Sequence, residues 1–131
     1  MRQLKEKSKY FDWGAPYELD DINGEVAIVG IGETLYSGPS ARSVKLMALE
    51  AIEKALADAG VLPKDVDGLM INAQIADQVT PKDFHAYFHT SQDIWFSEEG
   101  GAMIWGAICN HTAAHVFRKS IASCVVNVFA V

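Results

Sequence analysis

The chain has 131 residues, 50% of them hydrophobic and 21% charged, which fits one globular domain or part of a larger one and excludes a disordered chain. Its net charge of -6 at pH 7 argues against a nucleic-acid partner, whose binding surfaces carry a basic stripe. No run approaches the roughly 20 apolar residues of a membrane span, and the charged first residues lack the apolar core of a signal peptide.

Residues 1–24 have no clean periodicity and read as an N-terminal extension. Arg2, Lys5, Lys7 and Lys9 make its start a solvated tail. Phe11, Trp13 and Tyr17 give the rest apolar handles for another surface. Gly14, Pro16 and the run from Asp20 to Gly24 are turn-forming. Val26 to Val29 then reads as a strand buried on both faces. In "SARSVKLMALEAIEKALADAG", Val44, Met47, Ala48, Ala51, Ile52, Ala55, Leu56 and Ala59 share one helical stripe. Glu50 and Lys54 form an i,i+4 pair on its solvent side. Ser40 or Ser43 can cap the start, Gly60 can end the helix in the left-handed region, and Pro63 prevents its resumption.

"VDGLMINA" reads as a second strand, which makes a β-α-β unit with a right-handed crossover. Residues 74–99 lack a sustained period and read as short helical turns and loop. After Gly100 and Gly101, a long helix is expected from about Ala102 to Lys119, apolar on nearly every side and therefore buried. "SCVVNVFAV" reads as a third parallel strand, and its abrupt stop is expected of a piece of a longer fold or of a chain completed by a partner.

Several motifs invite chemistry. Gly30-Ile31-Gly32 begins like a dinucleotide loop, but Leu35 stands where the third glycine belongs and the helix starts too late. His111 and His115 share a helical face, yet the glutamate of a zinc-protease motif is missing, and Cys109 lies about 200° away round the helix. His85 and His89 repeat the spacing without support. Core or interface histidines are the reading, and no metal is expected. Cys109 and Cys124 lie in apolar segments, which points to buried thiols in a reducing compartment, the cytoplasm. "SEEGGAMIWG" places small residues before a buried helix, where unpaired amides favour a thiolate or an oxyanion. A tight turn needing glycine for sterics alone explains the same residues.

Together, "VAIVGIGETLYS", the helix ending "ALEAIEKALADAGVLPKDVDGLMI", "GGAMIWGA" and "SCVVNVFAV" resemble the N-terminal part of the thiolase superfamily, nearest its lipid-transfer or sterol-carrier type. The resemblance covers residues 25–131, here a partial thiolase-like N-terminal domain. "VGIGETLYS" followed by "ALADAG" and "DVDGL" is its most specific part, and residues 74–99 match poorly. It implies an α/β fold: a β-α-β core, a mostly parallel sheet and a buried central helix. It also implies tight dimers that act on acyl-coenzyme A thioesters, with a nucleophilic cysteine at the start of the buried helix. Alignment on the last strand and Gly106 puts Met103 at that position. A thioether cannot be acylated productively, and neither Cys109 nor Cys124 replaces it. The family's remaining catalytic residues belong to its C-terminal half.

Two functions are therefore expected of such a chain. One is a component of a thiolase-fold enzyme that transfers acyl groups or, given Met103, breaks or forms carbon-carbon bonds in a β-hydroxyacyl thioester. The alternative is a non-catalytic subunit that supports a dimer or an active partner. Coenzyme A thioester is the substrate in the first case, with no covalently bound cofactor. The partner is a second copy or further thiolase-fold polypeptide.

Overall fold

The computed structural model describes residues 25–35, 41–72, 77–99 and 105–130. The helix with the clearest stripe is α1, Val44–Ala59. The Ser43 side chain, rather than that of Ser40, caps it by accepting from the Leu46 N–H at 3.2 Å. Gly60 ends it at φ 66°, and the Val61 N–H returns to the Leu56 carbonyl. Ala48, Ile52 and Leu56 of the expected stripe are buried, joined by Leu49. Lys54 meets Glu50 at 2.8 Å, and Arg42 joins the same carboxylate.

Strand β1, Gly68–Asn72, is buried at every position. It pairs in parallel with β2, Trp95–Glu99, on one side and with β3, Val125–Val128, on the other, giving the order β2-β1-β3. Side chains alternate across the sheet. Leu69 and Ile71 pack with Leu49, Ile52 and Leu56 of α1. Met70 packs on the other face with Cys109 of α3, Trp105–Arg118. Helix α2, Pro81–Phe88, adds Phe84 to the α1 side. Two helices therefore cover one face and one covers the other. No described helix is long and apolar enough to cross a membrane.

Three expectations need correction. Val26 to Val29 form no strand, nor do the described residues that follow them to 35. Their β-branched composition suits one, but a strand exists only through a ladder partner, and no described residue supplies one. The segment lies instead on α1, where Gly30 and Gly32 approach the helix backbone: a Cβ at Gly30 would sit 2.8 Å from the Ala59 backbone nitrogen. The Ile31 N–H donates to Asp58 at 2.9 Å, and Lys54 donates to the Glu33 carbonyl at 3.1 Å. Second, residues 74–99 hold a true helix and a strand. Thr80 and Asp83 cap α2 reciprocally around Pro81, and this capping box is the signal passed over. Third, α3 is buried along Cys109, Ala113, Ala114 and Val116 but exposes Asn110 and His111. Met103 and Ile104 lie outside the described residues, as do the side chains of Trp105, Ala107 and Ile108.

The starts of all three strands meet at Asp67. Its carboxylate accepts from the Ser123 N–H and hydroxyl at 2.9 Å and from the Cys124 N–H at 2.8 Å. Its carbonyl accepts from the Trp95 N–H at 2.9 Å. Partial burial pushes the carboxyl pKa up, but the Cys124 and Ser123 hydrogen bonds outweigh it and hold the group below the usual aspartate value.

Two outcomes follow from these contacts. A group whose folded pKa is depressed adds stability above its unfolded value and loses it as pH falls. Asp67→Ala should therefore cost about 1–2 kcal/mol at pH 7. The gap from wild type should close as pH drops below about 4. Urea unfolding of both chains across that range measures it. Gly30→Val should lift the 26–35 segment from α1, seen as faster cleavage after Glu33 by a glutamyl protease with helical circular dichroism retained.

Candidate functional site

In open α/β sheets, ligands bind beyond the carboxyl ends of the strands. Here those ends are Asn72, Glu99 and Val128. Helix α3 starts shortly after β2 finishes, so its N-terminal side belongs to the same edge. Met103, the position that the thiolase resemblance assigns to the nucleophile, falls between them and outside the described residues.

The described part of this edge is a polar cluster. Asn72 is 1% exposed. Its Nδ2 donates to the Ala130 carbonyl at 3.1 Å, and its Oδ1 accepts from the Ala130 N–H at 3.1 Å. Gln78 Nε2 donates to both Asn72 Oδ1 and the Ala130 carbonyl, at 3.2 Å each. Gln78 Oε1 is buried without a partner among the described residues. Sequence reading missed both residues. The only signal was a polar residue closing the apolar run "GLMIN".

Both cysteines are free thiols. Burial pushes the Cys109 thiol up to about 11, a hydrogen bond with Asn127 opposing the shift and the Glu99 charge adding to it. Burial also raises the half-buried Cys124, with Asp67 and Asp65 adding to it. Burial therefore disfavours the thiolate form at both positions.

The histidines stay apart from this chemistry. His111 and His115 meet edge to face with their Nε2 atoms 3.3 Å apart on the open side of α3, while Cys109 is buried against the sheet. His85 Nδ1 lies 2.9 Å from the Thr90 hydroxyl, and His89 takes the left-handed position (φ 54°) that ends α2. No described group of three or more histidine, cysteine or acidic side chains is placed to hold a metal ion.

A cleft of about 1020 Å³ opens beside the sheet, between residues 25–32, α1, α3 and β3. Ile28 and Val29 on its rim are 71% and 64% exposed.

The parallel sheet with helices on both faces is a thiolase-like α/β core. 3-Oxoacyl-(acyl carrier protein) synthase III, FabH, from Xanthomonas oryzae shares the fold at a TM-score of 0.50 and 15% identity, over 66% of this chain and 27% of that one. A solved structure described as Ltp2-ChsH2(DUF35) aldolase matches 77% of this chain at 36% identity and a TM-score of 0.65, covering 26% of that chain. Two curated relatives match over shorter stretches. A 17-hydroxy-3-oxo-4-pregnene-20-carboxyl-CoA lyase of Mycobacterium tuberculosis is 56% identical over 48 residues, 37% of this chain. A steroid side-chain-cleaving aldolase of Thermomonospora curvata is 53% identical over 49 residues, also 37% of this chain. Each match spans 12% of the relative's own length. No protein-family model matches. The chain is thus similar to thiolase-like proteins, among them steroid side-chain-cleaving enzymes, and spans 12–26% of the length of these relatives.

The thiol environment sets a measurable expectation. A pKa of about 11 leaves Cys109 at pH 7.5 with on the order of a hundredfold less thiolate than an unperturbed cysteine. Iodoacetamide should modify it slower by at least that factor until the chain is unfolded in urea. Peptide mapping after timed alkylation reads the rate at each cysteine.

Proposed function

We propose that this chain is a component of a thiolase-fold enzyme that breaks or forms a carbon-carbon bond in an acyl-CoA thioester. The observation that carries the reading is the 56% identity to a carboxyl-CoA lyase over 48 residues. The high pKa of Cys109 supports it from the chemical side, because acyl transfer through a cysteine needs a thiolate. In the cleavage direction, a β-hydroxyacyl thioester loses its hydroxyl proton to a base and the bond between its α and β carbons breaks. The products are a carbonyl compound and a thioester enolate that takes up a proton. Electrophilic stabilisation of that enolate by backbone amides is what a helix N-terminus supplies. In this reading Met103 occupies the nucleophile's place at the start of α3. The chain works in the cytoplasm, as a homodimer or with further thiolase-fold polypeptide, and the two free thiols are in keeping with a reducing compartment.

A second reading is a non-catalytic thiolase-fold subunit supporting an active partner. It is favoured by the relative whose description pairs two polypeptides, Ltp2 and ChsH2. One experiment separates the two. The chain is incubated with 17-hydroxy-3-oxo-4-pregnene-20-carboxyl-CoA, alone and with the ChsH2 polypeptide of that relative, and shorter acyl-CoA products are followed by mass spectrometry. Product formation supports the lyase component, and none in either arm supports the non-catalytic subunit. Met103→Cys should gain an acetyl adduct from acetyl-CoA that the unaltered chain lacks. No adduct on the variant would remove Met103 from the nucleophile's place.

A further inference from the structure

Two histidine pairs in this chain have i,i+4 spacing, and the structure treats them differently. His89 takes the left-handed position that ends α2, so it stands outside the helix that carries His85. The His85 ring is already engaged, with Nδ1 2.9 Å from the Thr90 hydroxyl. His111 and His115 both lie within α3, where side chains four residues apart stand one above the other. Their rings meet with centroids 4.5 Å apart and planes 70° apart, and their Nε2 atoms converge to 3.3 Å.

Two ring nitrogens that close can share a proton, and they can equally share a cation. Imidazole–zinc bonds of about 2.0–2.1 Å span 3.3 Å when they meet at roughly 104–111°. That range suits a tetrahedral ion. With each ring proton on Nδ1, both Nε2 lone pairs are free for one metal. The helix beneath is anchored, because Cys109, Ala113 and Val116 on its other side are buried. The rings already lie together, so little of the ordering cost that weakens flexible chelates remains. His111 is exposed and His115 half-buried, which leaves the rest of the shell to water. Lys119, one turn beyond His115, opposes a cation by like charge, but it is exposed and salt screens it.

This is not the zinc-protease pattern. His-Thr-Ala-Ala-His supplies no glutamate, and no third histidine, cysteine or acidic ligand joins the pair among the described residues. Two imidazoles and water make a borderline donor set, which suits zinc and its d-block neighbours and not Mg²⁺, a cation that prefers oxygen ligands.

We propose that His111 and His115 form a two-point site on α3 for one divalent cation of the zinc class, with water completing its shell. The bound ion ties two successive turns of α3 together, and it stabilises the folded chain because the unfolded chain does not hold the pair in place. The inference uses none of the acyl-thioester chemistry, so either can fail without the other.

The test is calorimetric titration of the tag-free 131-residue chain with zinc chloride. One ion should bind per chain. His111→Gln and His115→Gln each remove a ligand nitrogen and keep a polar side chain. Each should weaken binding by at least the tenfold that loss of an outer-shell partner costs. His85→Gln and Cys124→Ser should leave the affinity unchanged. A second measurement needs no variant: in ¹H–¹⁵N spectra of the histidine rings, zinc should shift the Nε2 signals of His111 and His115 together and before those of His85 and His89. No saturation below about 1 mM zinc overturns the inference, as does unchanged affinity in either α3 variant. Loss of binding in His85→Gln or Cys124→Ser places the ion elsewhere and overturns it too. One ion per two chains assigns the ion to a contact between copies, and equal binding of Mg²⁺ assigns it to charge alone. Either result also overturns the proposed site.

Discussion

The structure depends on hiding both faces of one strand. All five residues of β1 are buried, and a strand apolar on both sides has no face to give to water. It therefore needs a neighbour at each edge and a helix on each face, which β2, β3, α1 and α3 provide. Its two ends carry the polar groups that make this arrangement unique. Asp67 gathers the starts of β2 and β3, while Asn72 holds the backbone of Ala130 in both directions. A buried amide left unpaired costs about 1–3 kcal/mol. A one-residue slip of β3 would orphan Asn72 and turn Val126 and Val128 away from the α1 side. Polar specificity at the ends fixes the register that apolar packing alone leaves loose.

What the sequence revealed divides along a physical line. Helix α1 was legible because every signal for it is local: a serine cap, a 3.6-residue stripe, an i,i+4 ion pair and a terminal glycine. The 26–29 run had the right residues for a strand, but pairing is a property of two chain segments, and its partner is not among those described. Strand β2 was missed for the opposite reason. Trp95 and Phe96 give way to Ser97, Glu98 and Glu99, and no position of this edge strand is buried enough to impose a pattern. Helix α2, at eight residues, is too short for periodicity to speak, and only its capping box marked it. The open face of α3 escaped notice because alanine and glycine count as apolar letters without demanding burial.

The candidate site was legible to the same extent. The burial of Cys109 followed from its apolar neighbours, which are close in sequence. Asn72 and Gln78 did not announce themselves, because their partner Ala130 is 58 and 52 residues away along the chain. Met103 came only from a resemblance between segments, and it lies where the structure describes no residue.

The thiol chemistry and the fold bear on each other through α3. Cys109 packs against Met70 on the sheet-facing side of that helix, where the low dielectric suppresses its thiolate. A cysteine so placed packs as a small apolar side chain. Carbon-carbon cleavage asks less of the helix than acyl transfer does: oriented amides toward a developing enolate, and no covalent intermediate. Under the proposed function, such a core works without a cysteine nucleophile, provided the sheet holds the helix start at the edge where the strands end. The double burial of β1 maintains that position. Asp67 and Gly68, at the opposite end of the strand, bear on the candidate site through the register they impose.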